Sequence, residues 1–176
     1  MINLDTQRKE TSEVYLSNEN HIKINSDDMQ NLITLAKKNT RERVRFCSHS
    51  SADEIVHEMF IVHPKDAYVR PHKHINKSES MIVLEGEVDY IIFDEYGNIS
   101  DIESMGDYKS GKTFYTRINS EEYHSLVIHS EWLVFLEITK GPFNKEETLF
   151  APWSPIESES EEIKAFMNKL KDDSKI

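Results

Sequence analysis

Apolar positions recur with two different periods, and the change between them divides the chain into three parts. Up to about residue 25, charged and Asn/Ser positions leave Val14, Tyr15, Leu16, Ile22 and Ile24 scattered, a pattern that suits either an edge strand or an ordered arm. From Ser26 onward Met29, Leu32, Ile33 and Ala36 fall at i, i+3, i+4 and i+7. Asp27 and Gln30 stand as the start signal and Lys37 and Lys38 close the stretch. This spacing predicts an amphipathic helix of about three turns. Between Arg43 and Thr139 the period becomes two, over His57 to His63, Met81 to Leu84, Val88 to Phe93, Tyr123 to His129 and Trp132 to Ile138. Turn residues separate the runs at Pro64-Lys65-Asp66, Glu85-Gly86, Asp94 to Asn98, Gly106-Asp107, Gly111 and Ser130-Glu131. Short strands with no helical segment among them predict an antiparallel sandwich or barrel. Past Gly141-Pro142 the chain is irregular through Ala151-Pro152-Trp153-Ser154-Pro155. A second helix then starts at Ser158 or Ser160, with Ile163, Phe166, Met167 and Leu170 on one stripe and the acidic Glu157 to Glu162 at its N-terminus. The expected organisation is an arm and helix over 1–42, a β-barrel over 43–142, and a loop and helix over 143–176 packed on the barrel.

Composition narrows the function classes. With 21 Lys+Arg against 32 Asp+Glu the formal charge is -11, and no stretch is basic enough to face nucleic acid or an anionic membrane. Apolar runs such as Tyr90 to Phe93 are far too short to span a bilayer, and the first twenty residues carry no apolar leader segment. The single Cys47 has no internal disulfide partner, so a reducing, cytoplasmic setting is expected, with Cys47 as a small buried apolar residue. No Gly-rich phosphate loop is present, which excludes P-loop nucleotide hydrolysis. What composition leaves unexplained is eight histidines.

His72 and His74 stand two apart after Pro71, so in extended chain both imidazoles project from one face. Glu79 follows at the start of the next apolar run, and Gly86 closes that run. Chance alone yields this extended spacing about 0.001 times in a chain of this composition. Much later, His124 alternates with Leu126 and Ile128 and so faces inward in its strand, where a barrel could bring it beside the first pair. Three imidazoles and one carboxylate suit a divalent transition metal: Fe, Mn, Co, Ni or Zn. Four protein ligands would saturate tetrahedral zinc as a closed structural site, whereas an octahedral ion would keep two positions open. His57 and His63 share a strand face with Met59 and Ile61 and read either as structural imidazoles or as proton carriers lining a pocket. Arg70, with Arg43, Arg45, Lys73 and Lys77, forms either a small positive mouth selective for a carboxylate or phosphate, or ordinary surface ion pairs. Tyr68, Tyr90, Tyr115 and Tyr123 are strand formers first, and Trp153 reads as a plug against the barrel. His21, His49 and His129 carry no pattern.

His72-x-His74-x4-Glu79-x6-Gly86 followed by His124 resembles the two motifs of the cupin superfamily. Asp66 stands where the first motif usually opens with Gly, and Arg117 to Tyr123 lacks the Pro and Gly turn usual before the second-motif histidine. The segments Arg43 to Cys47, His57 to His63, Val69 to His74, Lys77 to Ser80 and Phe150 to Pro155 are similar to the WbuC family of cupin-fold metalloproteins. The resemblance implies an all-β cupin double-stranded β-helix (jelly-roll barrel) with an N-terminal and a C-terminal flanking helix. It also implies a metal on His72, His74, Glu79 and His124, and a link to bacterial surface-polysaccharide (O-antigen) biosynthesis. Three functions stay open. The first is a metal-dependent isomerase, epimerase or oxygenase acting on a sugar-derived, anionic small molecule, with His57 moving protons and Arg70 orienting the anionic group. The second is a non-enzymatic sugar-binding or sensing module with a structural metal. The third is a metal-free sugar-nucleotide ketoisomerase. A homodimer is expected, formed through the sheets with the Val14 to Leu16 arm covering an edge.

Overall fold

The computed structural model describes residue 2 and residues 6–174. Strands β1 (Arg8–Lys9) and β2 (Val14–Leu16) precede helix α1 (Ser26–Ala36). Nine strands follow: β3 (Val44–Cys47), β4 (Val56–Pro64), β5 (His72–His74), β6 (Glu79–Glu85), β7 (Glu87–Phe93), β8 (Ile99–Gly106), β9 (Tyr115–Ile118), β10 (Tyr123–Ile128) and β11 (Trp132–Lys140). β12 (Thr148–Phe150) and helix α2 (Ser160–Asp173) complete the chain. One sheet has the order β1-β2-β3-β4-β11-β6-β9 and the other β12-β5-β10-β7-β8.

Alternation along the strands sorts side chains into three layers. Val44, Phe46, Val62 and Val134 face outward from the first sheet and meet Met29, Leu32, Ile33 and Ala36 of α1. Between the sheets lie Met59, Ile61, Met81, Val83, Phe135, Tyr90, Leu126 and Ile128. Outside the second sheet, Ile91, Phe93, Tyr123 and Val127 take Met167 and Leu170 of α2. Each fully buried aliphatic or aromatic side chain of this kind contributes about 2 kcal/mol of transfer free energy. Trp153 packs in the third layer against Phe93, Tyr123 and Phe166, as a plug would.

The start of α1 differs from the sequence expectation. Asn25, not Asp27, is the cap: its side chain accepts from the Asp28 N–H at 3.1 Å, and the Asp28 carboxylate accepts from the Asn25 N–H at 3.0 Å. This reciprocal pair satisfies two donors that have no partner within the helix, and Asp27 falls in the first turn, where its charge suits the helix dipole. Helix α2 begins at Ser160 without a side-chain cap but with Glu161 and Glu162 in its first turn. The arm settles as a strand: Val14–Leu16 pairs in parallel with β3 of its own chain, Tyr15 opposite Phe46. β8, β9 and β12 lie outside the strands read from periodicity, because their alternation is mostly polar or too short to register.

The turn between β6 and β7 needs Gly86. Its φ is +100°, and a Cβ there would stand 2.4 Å from both the Trp132 carbonyl oxygen and the Ser130 hydroxyl. Among the described residues no helix is long and apolar enough to cross a membrane.

Candidate metal centre

The first sheet presents its inner face in rungs. Thr139 of β11 lies opposite His57 on β4 and Glu79 on β6. The next rung holds Glu137 between Met59 and Met81, and the one below holds Phe135 between Ile61 and Val83. From the second sheet, His124 lies opposite His72, and His74 follows on the same face of β5. Closure of the two sheets thus sets Glu79 against three histidines that come from 72, 74 and 124 in sequence.

One donor atom from each of His72, His74, Glu79 and His124 lies within 4.8 Å of the other three. The ring centroids are 5.0 Å apart for His72 and His74, 4.6 Å for His72 and His124, and 5.6 Å for His74 and His124. The outer nitrogens fix the ring orientations. Nδ1 of His72 donates to the Arg70 carbonyl at 2.9 Å, and Nδ1 of His124 donates to the Glu122 carbonyl at 3.1 Å. Nδ1 of His74 pairs with the Thr148 hydroxyl on β12 at 3.2 Å. With Nδ1 of His72 and of His124 donating outward, those two rings turn their Nε2 lone pairs to the centre, the usual arrangement of a metal-binding imidazole, while Nε2 of His74 meets Oε2 of Glu79. The segment before β10, which lacks a Pro and Gly turn, still delivers the Glu122 carbonyl that performs this task.

Electrostatics agree with that donor set. Burial first, then the adjacent His124, pushes the His72 imidazole down to about 4, and burial likewise lowers His124. Both are therefore neutral near pH 7, the state in which imidazole ligates. Burial opposes ionisation of Glu79, but its hydrogen bond with His74 and the neighbouring His124 and His72 outweigh burial and hold the carboxyl low. Nε2 of His74 is 2.9 Å from Oε2 of Glu79, and Nε2 of His124 is 3.6 Å from Oε1 and is buried without a hydrogen-bond partner. Lone-pair atoms so close need a proton or a cation among them, and an orphaned buried nitrogen costs stability unless something fills its lone pair. The residues present fit a divalent metal.

Two more side chains border the centre: Tyr90, one of the tyrosines read first as strand formers, and Glu137, which sequence patterning did not single out. Tyr90 stacks on His124 with ring centroids 5.5 Å apart and planes 12° apart, and burial, then Glu79 and Glu137, raise its phenol well above the usual range. Glu137 faces inward with Leu133 and Phe135, and burial, then Glu79, push its carboxyl up to about 8. Its signal was available: it is the one charge in Trp132 to Ile138, on the inward register.

His57 and Arg70 have their contacts outside the histidine cluster. His57 stacks on His49 at 4.1 Å and 11°, two strands from Glu79, and its Nε2 abuts Gly141, where a Cβ would stand 2.7 Å away. The Arg70 guanidinium is occupied by the C-terminal segment: Nε donates to Ser154 Oγ at 3.0 Å, Nη2 to the Ala151 carbonyl at 3.3 Å, and the group lies 4.9 Å from the Phe150 ring centroid. His63 lies three rungs below His57, opposite Leu133, away from the centre. Arg43 and Arg41 border a cavity of about 480 Å³ with Lys65, Tyr68 and Trp132, where Glu13 and Glu157 pair with them. Asp66, at the position where a cupin motif usually has Gly, pairs with Lys171 of α2 at 3.1 Å.

Two facing sheets and an inward cluster of three histidines and one glutamate define the class: the fold is a cupin jelly roll with flanking helices. Protein SO0799 from Shewanella oneidensis has a similar fold, with a TM-score of 0.53 over 73% of this chain and 85% of that one at 9% identity. Oxalate decarboxylase from Bacillus subtilis matches with a TM-score of 0.47 and 19% identity over 61% of this chain. That from Lactobacillus farciminis, as a formate complex, matches with a TM-score of 0.43 and 17% identity over 56%. The chain spans 27% and 28% of the length of these two enzymes. A family model described as a domain of unknown function (DUF6016) matches residues 24–105. A search of curated proteins finds no match.

Proposed function

We propose that the protein is a metal-dependent cupin that holds a divalent transition metal on His72, His74, Glu79 and His124 and acts on a small, sugar-derived molecule. The observation that carries this reading is the orphaned, buried Nε2 of His124, aimed at a carboxylate that two other imidazoles also face. The metal, once bound, supplies Lewis acidity to a substrate oxygen. The chain's own groups do the rest. The Arg70 and Glu122 carbonyls hold His72 and His124 in the ligating tautomer, and Thr148 orients the ring of His74. The Glu137 carboxyl, protonated near neutral pH, stands beside the pocket as a hydrogen-bond or proton donor. Met59, Met81 and Tyr90 keep the floor apolar and exclude water. In this reading His57 and Arg70 hold the surrounding chain in place. The sugar and surface-polysaccharide setting rests on the similarity to WbuC proteins.

Elemental analysis of the purified protein tests the proposal. About one equivalent of Fe, Mn, Co, Ni or Zn per chain is expected, falling to background in the His72→Ala/His74→Ala double variant with the far-ultraviolet circular dichroism retained. Full metal content in the folded double variant overturns it.

A further inference from the structure

Of the cations near the histidine loop, Arg117 donates to the Ser78 hydroxyl at 3.3 Å, and three others are likewise spoken for. Arg70 is bound to Ser154, Ala151 and Phe150. Lys73 pairs with Glu95 at 2.6 Å and covers the Tyr123 ring. Lys140 reaches the Asn76 carbonyl at 3.4 Å. Lys77 differs. It lies between His74 and Glu79, and its side chain is only 5% exposed. Lysine is almost never so buried unless paired. Among the described residues its ion pair is with Glu147 at 3.8 Å, too long for a hydrogen bond, and the Phe143 ring centroid lies 6.0 Å away. The ammonium is thus largely enclosed, on the short segment between His74 and Glu79, with one long ion pair to receive it.

The charge of Lys77 reaches the pocket interior. Its ammonium acts on Glu137, which faces inward from β11, against the effect of Glu79. Glu147, the weak partner, is half-buried on a short 3-10 turn.

We propose that Lys77 binds an anionic oxygen of the pocket ligand, so that the ligand class is a small oxyanion-bearing molecule, a carboxylate or a phosphate ester. This rests on the metal-centre reading above and adds to it the group that selects charge. A neutral sugar would leave the ammonium with only this long ion pair, whereas an anionic one would give it a closer partner. Glu147 holds the place of that anion when the pocket is empty, so ligand and Glu147 compete for one ammonium.

Calorimetric titration of the metal-loaded protein with glucuronate, inorganic phosphate and glucose tests this. At least one anion is expected to bind while glucose does not; glucuronate alone assigns a carboxylate and phosphate alone a phosphoryl group. Lys77→Met should weaken the anion at least tenfold with metal content per chain unchanged, Lys77→Arg should retain much of the binding, and Glu147→Gln should tighten it. Equal affinity in Lys77→Met, or no anion binding to the wild type at millimolar concentration, overturns the inference while leaving the metal site standing. Loss of metal in both Lys77 variants also overturns it, by making Lys77 a support of the centre. Absence of metal in the wild type sinks the underlying reading instead.

Discussion

His72 and His124 are register partners across β5 and β10, their ring centroids 4.6 Å apart although 52 positions (124 − 72) separate them in sequence. Both rings are turned from within their own strand segments. Each is turned by a hydrogen bond to a carbonyl two residues earlier, from Arg70 and from Glu122. His74 is turned instead by a hydroxyl from a distant strand.

That difference makes Thr148 testable. Thr148→Val keeps the shape of β12 but removes the oxygen that pairs with His74 Nδ1. Supporting groups of this kind are worth about 10-fold to 100-fold in metal affinity. Competition with a chelator of known affinity should show about a tenfold loss, and an unchanged affinity would make the contact incidental.

Acid should destabilise the protein through His63. Burial, and then Arg43, Arg45 and Arg41, push its imidazole down to about 3, and its Nδ1 is buried without a partner. The unfolded chain takes up a proton below about pH 6.5 that the folded chain refuses until about 3. Stability is therefore full above about pH 6.5 and is lost as pH falls toward 3, by up to about 1.4 kcal/mol per pH unit for one proton. Denaturant unfolding at pH 7 and pH 5 should show a smaller drop in His63→Leu than in the wild type. Equal drops would remove His63 as the cause.

Cys47 should be inert. Burial pushes its thiol up to about 11, so the thiolate, the reactive form, is scarce at pH 8. The native protein is expected to resist a thiol-specific disulfide reagent for hours and to react within minutes once unfolded. Prompt labelling of the native state would contradict the burial that the fold assigns to β3.

At Gly86 a single methyl should be costly. A Cβ meets the Trp132 carbonyl, which is backbone and cannot step aside, and φ of +100° strains any other residue. Gly86→Ala is expected to lose about 2 to 4 kcal/mol in chemical denaturation. A loss below about 0.5 kcal/mol would mean that the turn relaxes freely.

How far the sequence could be read depended on the range of the interactions. The strands β4, β7, β10 and β11 were legible as apolar runs, because each packs apolar side chains on both faces. The spacing of His72, His74 and Glu79 was legible because a short extended segment has only two faces. The cap of α1 was misplaced by two residues, since several acceptors precede that helix and only geometry selects Asn25. Arg70 looked like a ligand-orienting group because its neighbours in sequence are the ligands. Its partners Ser154 and Ala151 lie more than eighty positions away, beyond any local pattern. Glu137 escaped notice for the opposite reason, as one charge inside a run that reads as core.

The pairing of β12 with β5 also orders events in time. Proteins are made from the N-terminus at about 5 to 20 residues per second, so His72 and His74 leave the ribosome long before Thr148–Phe150 can zip alongside them. During that interval His74 lacks the hydroxyl that turns its ring. Only when β12 arrives does Thr148 pair with His74 Nδ1. On the proposed reading, an ion taken up earlier meets imidazoles still free to rotate, and one taken up later meets them already oriented.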